Sequence, residues 1–299
     1  MAEYDRSGAG EPAPSRQAQP ETIVVRKGHG LPYSKGLMAQ ALSATALSQE
    51  RAFELARLIE RRLAERGDSE IDVADLDALA EEVLLAEEGE LAAGRYRGWR
   101  RLDRLDRPLV VLIGGTTGVG KSTLATMLAA RLGVNRVIAT DVIRQVLRAF
   151  FTIEAMPTVH HSAFEAGGVA GYREQAERVG TGIAAIVERA ANEAKPVVVE
   201  GVHVVPGGVH PRVRERCVLV EALVVVDEPE LHRAHFSLRP GTRPAERYLA
   251  GFDAIRRLQD HLWERARSEG VAIVDNDNVD VALARLMELV LDAVKEDVK

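Results

Sequence analysis

The chain has 299 residues, enough for one large and one small domain at the usual length of about 100 to 200 residues per domain. Its formal net charge of −6 argues against a general nucleic-acid-binding protein. A single cysteine, Cys217, excludes an internal disulfide, and no apolar segment is long enough to span a membrane. We therefore expect a cytoplasmic protein without nucleic-acid or membrane partners.

The N-terminal third is predicted to contain a tail and a small domain. Residues 1–20 are rich in glycine, proline and serine and lack the basic start and apolar centre of a signal peptide, which predicts a disordered tail. Two short extended pieces and three helices follow, two of the helices starting at the serine caps Ser34 and Ser48. Apolar residues recur along each helix at spacings of three and four. The pattern predicts a small α-rich domain over residues 21–99.

An arginine-rich segment, RYRGWRRLDRLDR, follows this domain and places six arginines between Arg95 and Arg107. It could form a nucleic-acid or phosphate-binding face, or a solvated helix between domains. Two aspartates interrupt the run and the preceding domain is acidic, so we favour the second interpretation. Residues 100–107 are taken as a connector.

From residue 108 to 299, apolar strand candidates alternate with helical stretches. The predicted strands are Leu109–Ile113, Val137–Ala139, Val197–Val199, Leu219–Val226 and Val271–Val274. Such alternation predicts an α/β domain with a parallel sheet covered by helices, which binds its ligands at the carboxyl ends of the strands.

The first strand runs into the segment VVLIGGTTGVGKSTLA, which fits the Walker A pattern G-x-x-x-x-G-K-[ST]. In this P-loop, backbone N–H groups surround a polyphosphate, a lysine reaches the β and γ groups and a hydroxyl binds Mg²⁺. The strand, loop and helix order predicts a P-loop NTPase-type fold that binds a nucleoside triphosphate. The predicted phosphate-binding loop is Gly115, Thr116, Thr117, Gly118, Val119, Gly120, Lys121, Ser122 and Thr123, and the family resemblance given below implies that its nucleotide is ATP.

The second strand ends in ATDVIRQVLR, which places Asp141 at the carboxyl edge of the sheet. Arg144 and Arg148 lie one and two turns further on the same helix face. In a kinase, such an aspartate can orient an acceptor hydroxyl while the arginines bind an anionic acceptor. The alternative is that Asp141 only caps the helix and the arginines are solvated.

The third strand ends in VVVEGVHVVPG, so Glu200 emerges where a P-loop enzyme needs a carboxylate for Mg²⁺. A capping or ion-paired glutamate is the alternative. His203 follows closely and is a candidate for contact with the acceptor, although a histidine in such a loop can also be a hydrogen-bonding spacer. The histidines of MPTVHHSAFEAGG can line an acceptor pocket or fill a helix connection.

The segment DEPELHRAHFSLRPGTRPAERYLAGFDAIR follows the fourth strand and is typical of a lid. Its arginines, Arg233, Arg239, Arg243 and Arg247, could neutralise charge on the transferring phosphoryl group, or lie on an exposed helix with ordinary ion pairs. His232 and His235 have the i, i+3 spacing of metal ligands, but no third ligand is evident.

Taken together, GGTTGVGKSTLA, TDVIRQVLR, VHHSAFEAG, VVVEGVHVVPG and the HRAHFSLR and RYLAGFDAIRRLQDHL blocks resemble the 2-phosphoglycerate kinase family. The resemblance spans nearly the whole chain beyond the tail. It implies transfer of the ATP γ-phosphoryl group to the free hydroxyl of 2-phosphoglycerate, giving 2,3-bisphosphoglycerate. It also implies that Asp141 and Arg144 are acceptor-side residues and that Glu200 is the Mg²⁺-side acid.

The first domain resembles an ATP-cone, a small regulatory nucleotide-binding unit, in its VVRKGHGLPYS and RYRGWRR segments. Ser34 stands where an aspartate is common in that unit. Nucleotide binding and a structural or oligomerising role therefore both stay open for this domain.

The mechanism predicted from these patterns is direct in-line phosphoryl transfer. Lys121, Asp141, Arg239 and Arg243 are the predicted catalytic residues, and Ser122 and Glu200 bind Mg²⁺. Asp141, Arg144, Arg148 and His203 are the predicted acceptor-binding residues. The alternatives are a P-loop kinase of another small anionic metabolite and a regulatory P-loop ATPase. The sequence leaves a homo-oligomer open.

Overall fold

The computed structural model describes residues 22–26, 28–67, 69–102, 105–209, 211–237 and 245–297. The predicted tail, residues 1–20, lies outside these ranges. A small three-stranded sheet of order β2-β1-β3 opens the described part, with β1 antiparallel to β2 and parallel to β3. Its strands are β1 (Ile23–Arg26), β2 (His29–Pro32) and β3 (Glu70–Asp72).

In the described part of the N-terminal region, four α-helices pack with this sheet and confirm that the region is mainly helical. They are α1 (Lys35–Ser43), α2 (Gln49–Arg66), α3 (Val73–Glu88) and α4 (Glu90–Arg101). The predicted caps form, because the hydroxyls of Ser34 and Ser48 accept from the backbone N–H groups of Leu37 and Arg51. The likeness to an ATP-cone stays a prediction.

Helix α4 carries the first part of the arginine-rich segment and runs through residue 99 to Arg101. Its arginines pair with carboxylates: Arg100 lies 2.5 Å from Asp77, and Arg97 pairs with Glu81 and Glu90. Arg97 and Arg100 are therefore paired with carboxylates of the protein, and the interpretation of this segment as a connector stays a prediction.

The second sheet has five strands in the order β5-β6-β4-β7-β8, and every neighbouring pair is parallel. The strands are β4 (Leu109–Gly114), β5 (Val137–Ala139), β6 (Val197–Glu200), β7 (Val218–Val225) and β8 (Ala272–Asp275). All five predicted strands are confirmed, with ends shifted by at most one residue. Strand β4, the first of these strands along the chain, is the central strand of the sheet, and the predicted P-loop follows its carboxyl end.

Within the described residues, eight α-helices accompany this sheet and cover both faces. They are α5 (Lys121–Leu132), α6 (Thr140–Phe150), α7 (Gly168–Glu193), α8 (Pro211–Arg214), α9 (Pro229–Ser237), α10 (Ala245–Ala250), α11 (Phe252–Ser268) and α12 (Val279–Asp297). Alternate residues of β4 separate two cores: Val111 and Ile113 pack with α5 and α12, whereas Val110 and Leu112 pack with α7. Helix α11 packs on Leu223 and Val225. The predicted α/β class is confirmed.

Helices α1 and α4 of the N-terminal region contact helices α5 and α12, which cover the larger sheet. The Gln40 side chain donates to the Ala130 carbonyl at 3.3 Å, and Arg95 pairs with Glu288 at 3.4 Å. Leu291 of α12 packs where Gly98 has no side chain. The division at residues 99 and 108 stays a prediction. Within the described ranges, no helix combines the length and hydropathy required to cross a membrane.

Candidate active site

The P-loop connects β4 to α5, and side chains from three parts of the chain bind its backbone carbonyls. Four consecutive carbonyls each accept a side-chain hydrogen bond: Thr116 from Lys121 Nζ at 2.6 Å, Thr117 from His232 Nε2 at 2.9 Å, Gly118 from His235 Nδ1 at 3.0 Å and Val119 from Asn276 Nδ2 at 2.9 Å. These bonds tie the loop to α5, to α9 and to the residue after β8. The loop N–H groups and the N-terminus of α5 are then available to an anion.

Gly118 shows how closely helix α9 approaches this loop. Its φ is +96°, and a Cβ atom there would lie 2.5 Å from the Phe236 ring and 2.9 Å from His232 Nε2. Only glycine satisfies both the positive φ and the short approach. Glycine at this position is therefore required by a neighbour as well as by the loop's own geometry.

Ser122 and Glu200 come together as predicted. The Ser122 hydroxyl donates to Glu200 Oε1 at 2.9 Å, and the carboxylate is 6% exposed. Mg²⁺ prefers oxygen ligands and is commonly held by one or two carboxylates together with substrate phosphates and water. A hydroxyl and a carboxylate oxygen side by side at the end of the P-loop fit that ion. In the described ranges, no group of three or more His, Cys, Asp or Glu side chains could hold a metal unaided.

Asp141 is brought to the same sheet edge by a close approach of two backbone segments. Gly201 follows Glu200 with φ +150°, and a Cβ atom there would overlap the Thr140 hydroxyl at 1.8 Å. The absence of a side chain lets α6 begin against the end of β6. The Asp141 side chain is 58% exposed, and its Oδ1 lies 3.1 Å from Arg144 Nε.

A cavity of about 630 Å³ lies beside the P-loop, and we call it the acceptor cavity. It contains the predicted Asp141, Arg144 and Arg148 together with Arg247 from the lid segment. Its lining is Thr117, Asp141, Val142, Arg144, Gln145, Arg148, His160, Ser162, Ala163, Phe164, Val202, Arg247 and Tyr248. Because Thr117 belongs to the P-loop, an anion in this cavity would lie next to bound phosphates.

Two arginines of the acceptor cavity are held by the segment that contains His160 and His161, the histidines that the sequence left as either pocket-lining or connecting residues, and His160 lines the cavity. Arg144 donates to the carbonyls of Val159 and His161 at 3.2 and 3.3 Å. Arg247 pairs with Glu165 and donates to the Ser162 hydroxyl at 3.1 Å. The connection around residues 157–165 therefore orients two cations toward the cavity.

His203 is not brought to the acceptor cavity. It is 2% exposed, its Nδ1 lies 2.9 Å from the Thr140 hydroxyl and its Nε2 lies 2.9 Å from Gln175 Oε1. Burial lowers the pKa of His203 to about 4, so the ring is neutral at pH 7. Gln175 donates through its nitrogen to the carbonyls of Thr158 and His161, so its oxygen accepts from His203. His203 is placed as a hydrogen-bonded spacer, and its predicted contact with the acceptor stays a prediction.

His232 and His235 bind the P-loop in this structure and do not form a metal-ligand pair. Burial lowers the pKa of His232 to about 4, so it is neutral and donates through Nε2. Arg233 on the same helix lies over the Phe252 ring, 3.9 Å from its centroid. Arg239 and Arg243 lie outside the described residues, so their predicted catalytic role stays a prediction.

Sequence reasoning missed Asn276 and Tyr248. Asn276 directly follows β8, at the same sheet edge as the P-loop, and is 2% exposed. A polar residue immediately after the fifth parallel strand is a signal that could have identified it. Tyr248 offers no comparable signal, because its place in the cavity depends on how α10 packs.

A P-loop at the end of the central strand, a carboxylate at the end of its neighbour and an adjoining arginine-lined cavity define a P-loop kinase that acts on a small molecule. A family model described as zeta toxin matches residues 97–194. The chain is 34% identical to a 2-phosphoglycerate kinase from Pyrococcus horikoshii, over 92% of this chain and 96% of that protein. It is 32% identical to a 2-phosphoglycerate kinase from Methanopyrus kandleri, over 96% and 92%. The chain belongs to the 2-phosphoglycerate kinase family.

Among solved structures, the chain is similar to a shikimate kinase from Acinetobacter baumannii in complex with shikimate. The TM-score is 0.40 at 17% identity, over 64% of this chain and 97% of that chain. It is also similar to a gluconokinase from Sinorhizobium meliloti, with a TM-score of 0.37 at 18% identity, over 63% and 93%.

Proposed function

We propose that this protein transfers the γ-phosphoryl group of ATP to the free hydroxyl of 2-phosphoglycerate, giving 2,3-bisphosphoglycerate and ADP. The observation that carries the proposal is the acceptor cavity, where Asp141 and three arginines adjoin the P-loop at Thr117. An acceptor with a phosphate and a carboxylate matches that surplus of positive charge. The names of the relatives agree with this acceptor.

The proposed reaction is a direct in-line displacement. A bond forms between the acceptor hydroxyl oxygen and the γ-phosphorus, and the bond from that phosphorus to the β–γ bridging oxygen breaks. Asp141 orients the hydroxyl and accepts its proton, and Lys121 leaves the Thr116 carbonyl to bind the β and γ phosphates. Arg144, Arg148 and Arg247 bind the anionic groups of the acceptor.

Ser122 and Glu200 would hold Mg²⁺, which would neutralise phosphate charge when bound. Arg239 and Arg243 are proposed to neutralise charge from a lid, and residues 21–99 are proposed to form a regulatory or oligomerising domain. A cytoplasmic location and a homo-oligomer stay predictions.

If Glu200 holds Mg²⁺, the Glu200→Gln variant should bind Mg²⁺ more weakly. The amide is nearly the same size but lacks the negative charge, so the Mg²⁺ concentration that supports half-maximal binding of an ATP analogue should rise about 10- to 100-fold. Calorimetric titration of the analogue at a series of Mg²⁺ concentrations measures this value. Glu188→Gln changes an exposed carboxylate and should leave the value unchanged. An unchanged Mg²⁺ requirement in Glu200→Gln would place the metal elsewhere.

The acceptor is tested by a transfer assay with Mg-ATP and a panel of 2-phosphoglycerate, 3-phosphoglycerate, glycerate, nucleoside monophosphates and water, with products identified by mass. Glycerate lacks the phosphate and leaves a cationic subsite unpaired. Each lost charge-assisted bond is worth about 1.5 to 3 kcal/mol, so kcat/KM should fall by roughly tenfold or more per bond. A preference for a nucleotide, or ATP hydrolysis that is independent of the acceptor, would exclude the proposed function.

A further inference from the structure

Helix α9 is attached to the P-loop at two consecutive carbonyls. His232 binds the carbonyl of Thr117 at 2.9 Å and His235 binds that of Gly118 at 3.0 Å. His232 is fully buried. With no room for a side chain at Gly118, the loop and the helix are in direct contact along this edge. A shift of the loop at residues 117–118 must therefore be transmitted to α9.

The same face of α9 leads to the acceptor cavity through stacked rings, because Phe236 stands one helical turn after His232. The His232 ring stacks on Phe236 with centroids 5.4 Å apart, and Phe236 stacks on Tyr248 at 5.3 Å with an interplanar angle of 7°. Tyr248 lines the acceptor cavity, and its neighbour Arg247 is one of the cavity cations. Three rings in succession thus connect a P-loop carbonyl to the acceptor cavity.

Surrounding aromatic rings confine this stack. Phe252 contacts His232 edge-on at 5.3 Å and Phe236 edge-on at 6.4 Å. Phe164, which also lines the acceptor cavity, contacts Tyr248 at 5.9 Å. Close-packed rings do not deform continuously, so a displacement at one end of the stack is passed on to the other end.

We propose that the stack His232–Phe236–Tyr248 couples the binding of ATP to the binding of the acceptor, and that its members are positioning residues for the transfer. This inference rests on the proposed function. When Lys121 leaves the Thr116 carbonyl for phosphate, the P-loop adjusts around the anion, and the stack sets Tyr248 and Arg247 for the acceptor. Coupling of this kind is reciprocal, because each ligand must change the affinity of the other by the same factor.

Calorimetry measures the coupling factor, which is the factor by which one bound ligand changes the affinity for the other. The Kd of 2-phosphoglycerate is determined with and without a saturating non-hydrolysable ATP analogue and Mg²⁺, and the Kd of the analogue with and without 2-phosphoglycerate. The wild-type factor is expected to be about fivefold or more and equal in both directions. In Phe236→Leu and in Tyr248→Leu, which interrupt the stack at different places, it should fall below about twofold.

Tyr248→Phe is the matched control, because it keeps the stacked ring and removes only the hydroxyl. It should retain the wild-type coupling factor even if its affinity for the acceptor changes. Tyr248 is partly exposed, so its leucine variant decides the question if Phe236→Leu does not fold.

Two results would overturn the inference. A wild-type protein that binds both ligands and transfers phosphate without any mutual effect on affinity has no such coupling. Leucine variants that keep the wild-type factor would show that the coupling runs elsewhere. In both cases the proposed function stands. If the wild type neither binds nor phosphorylates 2-phosphoglycerate, the proposed function and the inference both fail.

Discussion

Lys121→Ala is expected to reduce phosphoryl transfer at least about 100-fold, because it removes a fixed cation aimed at the β and γ phosphates. Lys121 is 8% exposed, and its Nζ donates a hydrogen bond to the Thr116 carbonyl at 2.6 Å, so the charge lies within the P-loop, where an anion would bind. The side chain lies at the start of α5 and contributes little to the apolar cores. Turnover measured with saturating 2-phosphoglycerate and Mg-ATP gives the size of the loss.

The control for this variant is Lys295→Ala, which removes an exposed lysine paired with Asp292 on α12. Circular dichroism and the thermal unfolding midpoint should be close to wild type for both variants. If Lys121→Ala folds normally and keeps near-wild-type turnover, the P-loop assignment is wrong.

Asp141→Asn is expected to lower kcat by about 10²- to 10⁴-fold, the range typical of a lost general base. Asparagine keeps the size of the side chain, and its oxygen can still accept from Arg144 Nε, so the geometry of α6 is preserved while the proton acceptor is lost. The KM for Mg-ATP should change little, because Asp141 lines the acceptor cavity and not the phosphate loop.

Asp292→Asn is a closely matched control. Asp141 pairs with a cation three residues ahead at 3.1 Å and is 58% exposed, and Asp292 pairs with Lys295 at the same spacing and distance and is 61% exposed. The two substitutions therefore neutralise carboxylates of similar exposure and similar ion-pair geometry, at a cost of about 1 kcal/mol of stability or less for an exposed pair. Equal turnover of the two variants would show that Asp141 takes no part in the transfer and only pairs with Arg144.

The sheet and the P-loop could be predicted because their signals are local. The strands are short apolar runs, and the loop is a motif whose glycines, lysine and serine stand in sequence at fixed spacing. The meeting of Ser122 and Glu200 could also be predicted, since the carboxyl ends of parallel strands share one sheet edge. The same argument placed Asp141 at that sheet edge, where it shares a cavity with Thr117 of the P-loop.

The roles of the histidines could not be predicted in this way. The i, i+3 spacing of His232 and His235 fits metal ligands as well as donors to a backbone, and only the packing of α9 on the P-loop decides between them. His203 follows the third strand as a cavity residue would, yet its two nitrogens are bound by Thr140 and Gln175. A side chain's partners depend on which distant element faces it.

The amino-acid sequence by itself determined the α/β class, the strand positions, the P-loop and the carboxylates at the sheet edge, because apolar periodicity and motif spacing act over a few residues. Tertiary structure alone decided that side chains from α9 and the end of β8 hold the P-loop carbonyls and that Tyr248 joins the acceptor cavity. The contacts to the P-loop carbonyls join residues more than a hundred positions apart. They exist only once helices have packed on the sheet, and no local pattern encodes them.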